Sequence, residues 1–163
     1  MSFLLKILGA GLISGAAATL FGEYKRQMEA RRGVCQGFLS LLSHIRRQID
    51  CYLTPMERLV CDFSDEFLEK CGYLERAWKI GVKDAFFEMK EKIPLPKEAK
   101  EALAELFSTL GRDYKEGTVR ELDAGISSLE KCLAKEKTDS EKDLKIAGIL
   151  AASAALGIII LII

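Results

Sequence analysis

The chain has 163 residues, with 24 basic side chains against 24 acidic ones, a single histidine and 49% hydrophobic residues. Such a neutral balance speaks against a nucleic-acid surface, which needs a marked positive excess. Five cysteines (Cys35, Cys51, Cys61, Cys71 and Cys132), odd in number and without C-x-x-C spacing, speak against an exported disulfide framework.

The first element is an uncharged run over residues 7–22, ILGAGLISGAAATLFG, preceded by Phe3-Leu4-Leu5 and Lys6. It reaches the roughly 20 residues needed to cross a bilayer once Lys6 lifts its ammonium to the interface. The spacing therefore predicts a transmembrane helix over residues 3–22. The rival reading is a cleaved signal peptide, since a charged start and Ala16-Ala17-Ala18 fit that pattern as well. Gly11-x-x-x-Gly15 places two glycines on one helix face, where a second helix backbone can approach closely within lipid.

All 24 acidic residues, and every basic residue except Lys6, lie in the following segment, residues 23–145. Its periodicity is helical throughout. Phe38, Leu41, Leu42, Ile45 and Ile49 mark a first helix over Glu23–Asp50. It is expected to continue from the first span without a break despite Gly33 and Gly37. Thr54-Pro55-Met56-Glu57 then reads as a capping box opening a second helix. That helix carries Leu59, Val60, Phe63, Phe67, Leu68 and Cys71, and Gly72 ends it. A third carries Leu74, Trp78, Val82, Ala85, Phe86 and Met89 up to Ile93-Pro94. A fourth runs from Pro96 through Ala99, Leu103, Leu106, Phe107 and Leu110 to Gly111. The last, Thr118–Lys145, repeats Val119, Leu122, Ile126, Leu129 and Leu133 at steps of three and four, a spacing suited to another helix. Three short helices between two long ones break up-and-down alternation. Either one lies crosswise or one is really two, and residues 114–117 are the expected break.

Residues 146–163, IAGILAASAALGIIILII, form a second predicted transmembrane helix, with Ala147, Ala151 and Ala155 in steps of four. Lys25, Arg26, Arg31 and Arg32 follow the first span, and Lys131, Lys135, Lys137, Lys142 and Lys145 precede the second. Positive charge stays inside, so the middle segment is expected in the cytoplasm with both chain ends toward the outer face. The cysteines are then small thiols in a reducing compartment.

Few residues carry chemistry. His44 is the only histidine, and no cysteine pair has zinc-finger spacing. Asp62, Asp65 and Glu66 alternate with Phe63 and Phe67, the pattern of a solvated helix face rather than a cation site. Phosphate-loop and nucleophile-turn motifs are not found. The expectation is a protein that is not an enzyme and holds no cofactor.

The order of these features resembles the stage III sporulation protein AB family over nearly the whole length. The resemblance lies in the glycine-rich span running into a basic helix (Gly9 to Arg32), Leu53-Thr54-Pro55-Met56, Ala77-Trp78, Leu110-Gly111-Arg112-Asp113 and a closing charged run before an apolar span. One departure is Gly117-Thr118, where a glutamine is expected. The resemblance implies an all-α antiparallel bundle of about six helices, flanked by an N-terminal and a C-terminal transmembrane helix. The cytoplasmic part is similar to the helical domain of type II secretion and type IV pilus inner-membrane platform proteins. It further implies a role in the complex that links mother cell to forespore, as a membrane platform docking a hexameric AA ATPase to other channel subunits. A general secretion or pilus platform outside sporulation is the alternative. The surface around Arg46, Arg47, Thr54, Pro55, Gly111 and Asp113 is the expected partner contact. Gly11, Gly15, Ala147, Ala151 and Ala155 are the expected helix-packing positions.

Overall fold

A computed structural model describes residues 2–52, 60, 62–110 and 115–162; for most of residues 2–20 and 150–162 it describes the backbone alone. The described residues are all-helical, without strands. There are six α-helices: α1 (Ser2–Arg47), α2 (Glu66–Lys70), α3 (Tyr73–Ile80), α4 (Val82–Met89), α5 (Lys97–Thr109) and α6 (Lys115–Ile162). A π-turn over Gln48–Tyr52 follows α1. The chain divides into two compact units, residues 30–136 and the two ends (1–29 with 137–163). The boundaries expected from charge, 23 and 145, thus lie about two turns outside those of the compact helical unit.

Within residues 30–136 the core is built on one face of α1. Val34, Cys35, Phe38, Leu41, Leu42 and Ile45 are all buried, at the three-and-four spacing that keeps side chains on one stripe. Phe38 meets Tyr73 at 4.8 Å between ring centroids and Phe86 edge-on at 6.0 Å, and Phe86 meets Phe107 at 5.1 Å. One aromatic column therefore ties α1, α3, α4 and α5 together, in the tilted geometries the ring quadrupole favours. Tyr73 is fully buried, yet its hydroxyl donates to the Val82 carbonyl at 2.8 Å, so its polar atom is satisfied. From α6, Leu122 and Leu129 complete the core.

Of the second expected helix, residues 53–59 and 61, with the Thr54-Pro55-Met56-Glu57 cap, lie outside the described residues. Residues 63–65 are not helical, and Glu66–Lys70 forms α2. Asp65 explains the late start. Its carboxylate accepts from the backbone N–H of Phe67 and Leu68, a helix cap that sets the first turn at Glu66. Gly72 ends the element as expected, with φ +76.

The third expected helix is two. Gly81, at φ +91, interrupts the apolar pattern and separates α3 from α4. A side chain is strained in this backbone conformation and glycine is not. This break supplies the sixth helix among the described residues; of the break expected at residues 114–117, residue 114 lies outside them. Gly117 lies inside the first turns of α6, which begins at Lys115 and not at Thr118. Trp78, within α3, faces outward. It was expected on the apolar face but is 55% exposed, its indole N–H bonded to the Val60 carbonyl at 3.0 Å.

Gly33 and Gly37, treated in sequence as obstacles to α1, are its landing strip for α2. A Cβ on Gly33 would overlap the Phe67 ring. A Cβ on Gly37 would come within 2.6 Å of the Asp65 carboxylate and 2.9 Å of Leu68. The helix runs through both, as expected, because packing outweighs the roughly 1 kcal/mol by which each glycine disfavours a helix.

In the other unit, α1 and α6 also run antiparallel. The Tyr24 hydroxyl donates to Asp143 at 3.3 Å, and the Ser140 hydroxyl meets the Met28 sulfur at 3.9 Å. Phe21, Tyr24, Ile146 and Ile149 are all exposed there. Among the described residues no helix is long and apolar enough to cross a membrane. Much of the two runs expected to do so lies outside the described side chains.

Candidate partner-docking surface

The two arginines expected at a partner contact have different fates. Arg46 on α1 pairs with Asp123 on α6, Nε to Oδ1 at 2.5 Å and a second guanidinium nitrogen to Oδ2 at 3.3 Å. The carboxylate beside it pushes the Arg46 pKa up, chiefly through this hydrogen bond. Arg46 is therefore a brace between the two long helices. Both partners are about half exposed, so solvent screens the pair and it contributes little to stability. Arg47 points elsewhere, to the rim of an open groove of about 430 Å³.

The remaining expected contact residues cannot be joined to this surface. Thr54, Pro55, Gly111 and Asp113 lie outside the described residues, as does Cys61. Of the expected packing positions, Gly11, Ala151 and Ala155 lie outside the described side chains. Ala147 is partly buried. A Cβ on Gly15 would meet nothing within 4 Å.

The groove itself is built by residues that the apolar pattern assigned to the core or passed over. Leu39 and His44 of α1, Phe63 and Ile126 line it, with Arg47 and Glu130 at its edges. Phe63 is held by a turn in which its N–H donates to the Val60 carbonyl at 3.2 Å. Its ring then lies 5.4 Å from the His44 imidazole. Leu39, Phe63 and Ile126 pack on the core from outside and remain partly open to solvent. The sequence signal was present in Leu39 and Ile126, apolar residues at the edge of their stripes, but pairing them needed the α1–α6 register.

A polar cluster lies elsewhere on the same two helices. Cys35 of α1 is fully buried, and burial, helped by Glu136 and Cys132, pushes its thiol up to about 11. Burial also raises the Glu136 carboxyl, against the opposing effect of Arg31. One Glu136 oxygen, Oε2, is buried without a hydrogen-bond donor. These shifts suppress thiolate and carboxylate, the reverse of what a nucleophile or metal ligand requires. Cys35, Cys51, Cys71 and Cys132 are all free thiols, Cys51 exposed. Among the described residues no group of histidine, cysteine and carboxylate side chains is arranged to hold a metal ion.

Comparison with known proteins gives one finding. No curated protein and no solved structure matches the chain. The family model for stage III sporulation protein AB, in contrast, matches residues 6–163, nearly its entire length. With an all-helical fold on the page and a match this long, the chain belongs to the stage III sporulation protein AB family.

Proposed function

We propose that this sporulation protein is a non-enzymatic membrane platform, which docks a cytoplasmic hexameric AA ATPase to membrane subunits of a mother-cell-to-forespore channel. Its two ends are anchored in the mother-cell membrane around the forespore, and the helical unit of residues 30–136 projects into the cytoplasm. The observation that carries the reading is the extent of the family match. It takes in both apolar runs together with the helical unit between them. Two further features support it. Basic residues flank each run on the side of the middle segment. The exposed side chains at the ends include Phe21, Tyr24, Ile146 and Ile149, which suit an apolar surrounding better than water.

The test is co-purification. The full chain, extracted in mild detergent from cells that also make the stage III sporulation AA ATPase, is expected to bring the ATPase with it. Elution of the two in separate fractions overturns the docking role. Topology has its own check. Cys51 is exposed, so burial does not protect it. A membrane-impermeant maleimide should label Cys51 in lysed cells and not in intact ones. Labelling in intact cells places the middle segment outside and overturns the orientation.

A further inference from the structure

We propose that the groove between α1 and α6 seats a helix of the partner, one that carries an apolar side chain between a carboxylate and a basic group about two turns apart. The proposal rests on the platform reading, since it names the surface through which the ATPase docks.

The Arg46–Asp123 pair sets the antiparallel register of α1 against α6. Seven residues along each helix from that pair lie Leu39 and Glu130. At about 1.5 Å per residue, Glu130 is displaced from the pair by roughly 10 Å along the helices. Arg47, the neighbour of Arg46, marks the opposite end. Arg46 is occupied by Asp123, whereas Arg47 and Glu130 are exposed. Between these opposite charges the groove is lined by Ser43, His44, Phe63 and Ile126, with Leu39 and Ser40 beside its Glu130 end.

A helix repeats this spacing. Residues seven apart lie on one face, again about 10 Å from each other, and the residue three or four along lies between them on the same side. An acidic residue meets Arg47, a basic residue seven positions away meets Glu130, and the apolar side chain between them enters the groove. This is the helix-in-groove mode of recognition, with the two charges setting direction and register. A chain of uniform charge is disfavoured, because one end of the groove repels it.

The experiment measures binding of the purified sporulation AA ATPase to the full chain in detergent. Arg47→Glu and Glu130→Lys are each expected to weaken binding by about tenfold or more. Ser40→Trp fills the groove from an exposed position and is expected to weaken it at least as much. Lys83→Glu, on the exposed side of α4, should leave affinity within about twofold. All four positions are exposed, so folding is preserved, which circular dichroism verifies. Unchanged affinity in Arg47→Glu and Ser40→Trp overturns the groove and leaves the platform standing. No binding by the unmodified chain overturns both. A change of oligomeric mass in Ser40→Trp, with ATPase binding intact, shows a second copy in the groove and overturns the partner-helix proposal.

Discussion

Two stretches of the same helix behave as different materials. Along residues 30–47 of α1, six apolar side chains (Val34, Cys35, Phe38, Leu41, Leu42 and Ile45) are buried by other parts of the chain. Along residues 21–27 every side chain is exposed, Phe21 and Tyr24 included. Local helix propensity does not separate them, since α1 is one uninterrupted element. The difference lies in what the rest of the chain supplies. In the first stretch, α2, α3, α4 and α5 provide a protein surface that removes the apolar stripe from water. In the second the Tyr24 hydroxyl reaches Asp143 of α6, and just beyond it Ser140 of α6 meets Met28.

The comparison breaks most sharply on one residue type. Phe86, fully buried against Phe38 and Phe107, should lose about 3–5 kcal/mol on replacement by alanine. Phe21→Ala, at a site 40% exposed, should change stability by less than about 0.5 kcal/mol. Thermal unfolding of the full chain in detergent separates the two, and equal losses would dissolve the distinction between the units. Glycines give the next largest contrast. Gly37→Ala pushes a methyl into the Asp65 cap and Leu68 and should cost about 1–3 kcal/mol. Gly15→Ala meets open space and should be neutral or gain up to about 1 kcal/mol from helix propensity.

A smaller effect sharpens the account of the long helices. Arg46→Gln should lower stability slightly at low salt, and by less at high salt where the exposed pair is screened. The same change should leave the groove residues in place, so it distinguishes the brace from the docking surface. The smallest effect is a pH dependence. Burial, partly offset by Arg31, raises the Glu136 carboxyl, so the folded chain holds this proton to higher pH than the unfolded chain. Its contribution is complete below the ordinary carboxylate range and is lost as pH rises through the raised value. Glu136→Gln should therefore flatten the fall in thermal midpoint as pH rises above the ordinary carboxylate range. An unchanged slope would show that Glu136 is solvated in the folded chain.

The course of α1 through Gly33 and Gly37 and the extent of α5 were legible from the spacing of apolar residues and from Pro96. Both follow from local rules, periodicity and a residue that opens a helix. The split at Gly81 was not legible, because Leu74, Val82, Ala85 and Phe86 keep a helical spacing across it and a glycine within such a pattern is ordinarily tolerated. The short α2 was hidden for a similar reason. Phe63, Phe67 and Leu68 fit a helical face, yet Asp65 caps the chain in their midst. Of the candidate surface, sequence singled out Arg46 and Arg47 as equivalent. Only the α1–α6 register assigned one to Asp123 and the other to a groove.

By itself the sequence determined the helical class, the charged middle between two apolar ends and, through the order of its features, the family. These are properties of residue type and spacing, and they survive without knowledge of any contact. Tertiary structure alone decided which glycines serve close packing, where the third helix breaks and which arginine meets Asp123. Each of those depends on the residue that arrives from a distant part of the chain: Asp65 and Leu68 at Gly37, Asp123 at Arg46, Phe107 at Phe86. No local pattern encodes such a meeting, because burial and pairing energies exist only once both surfaces have left water.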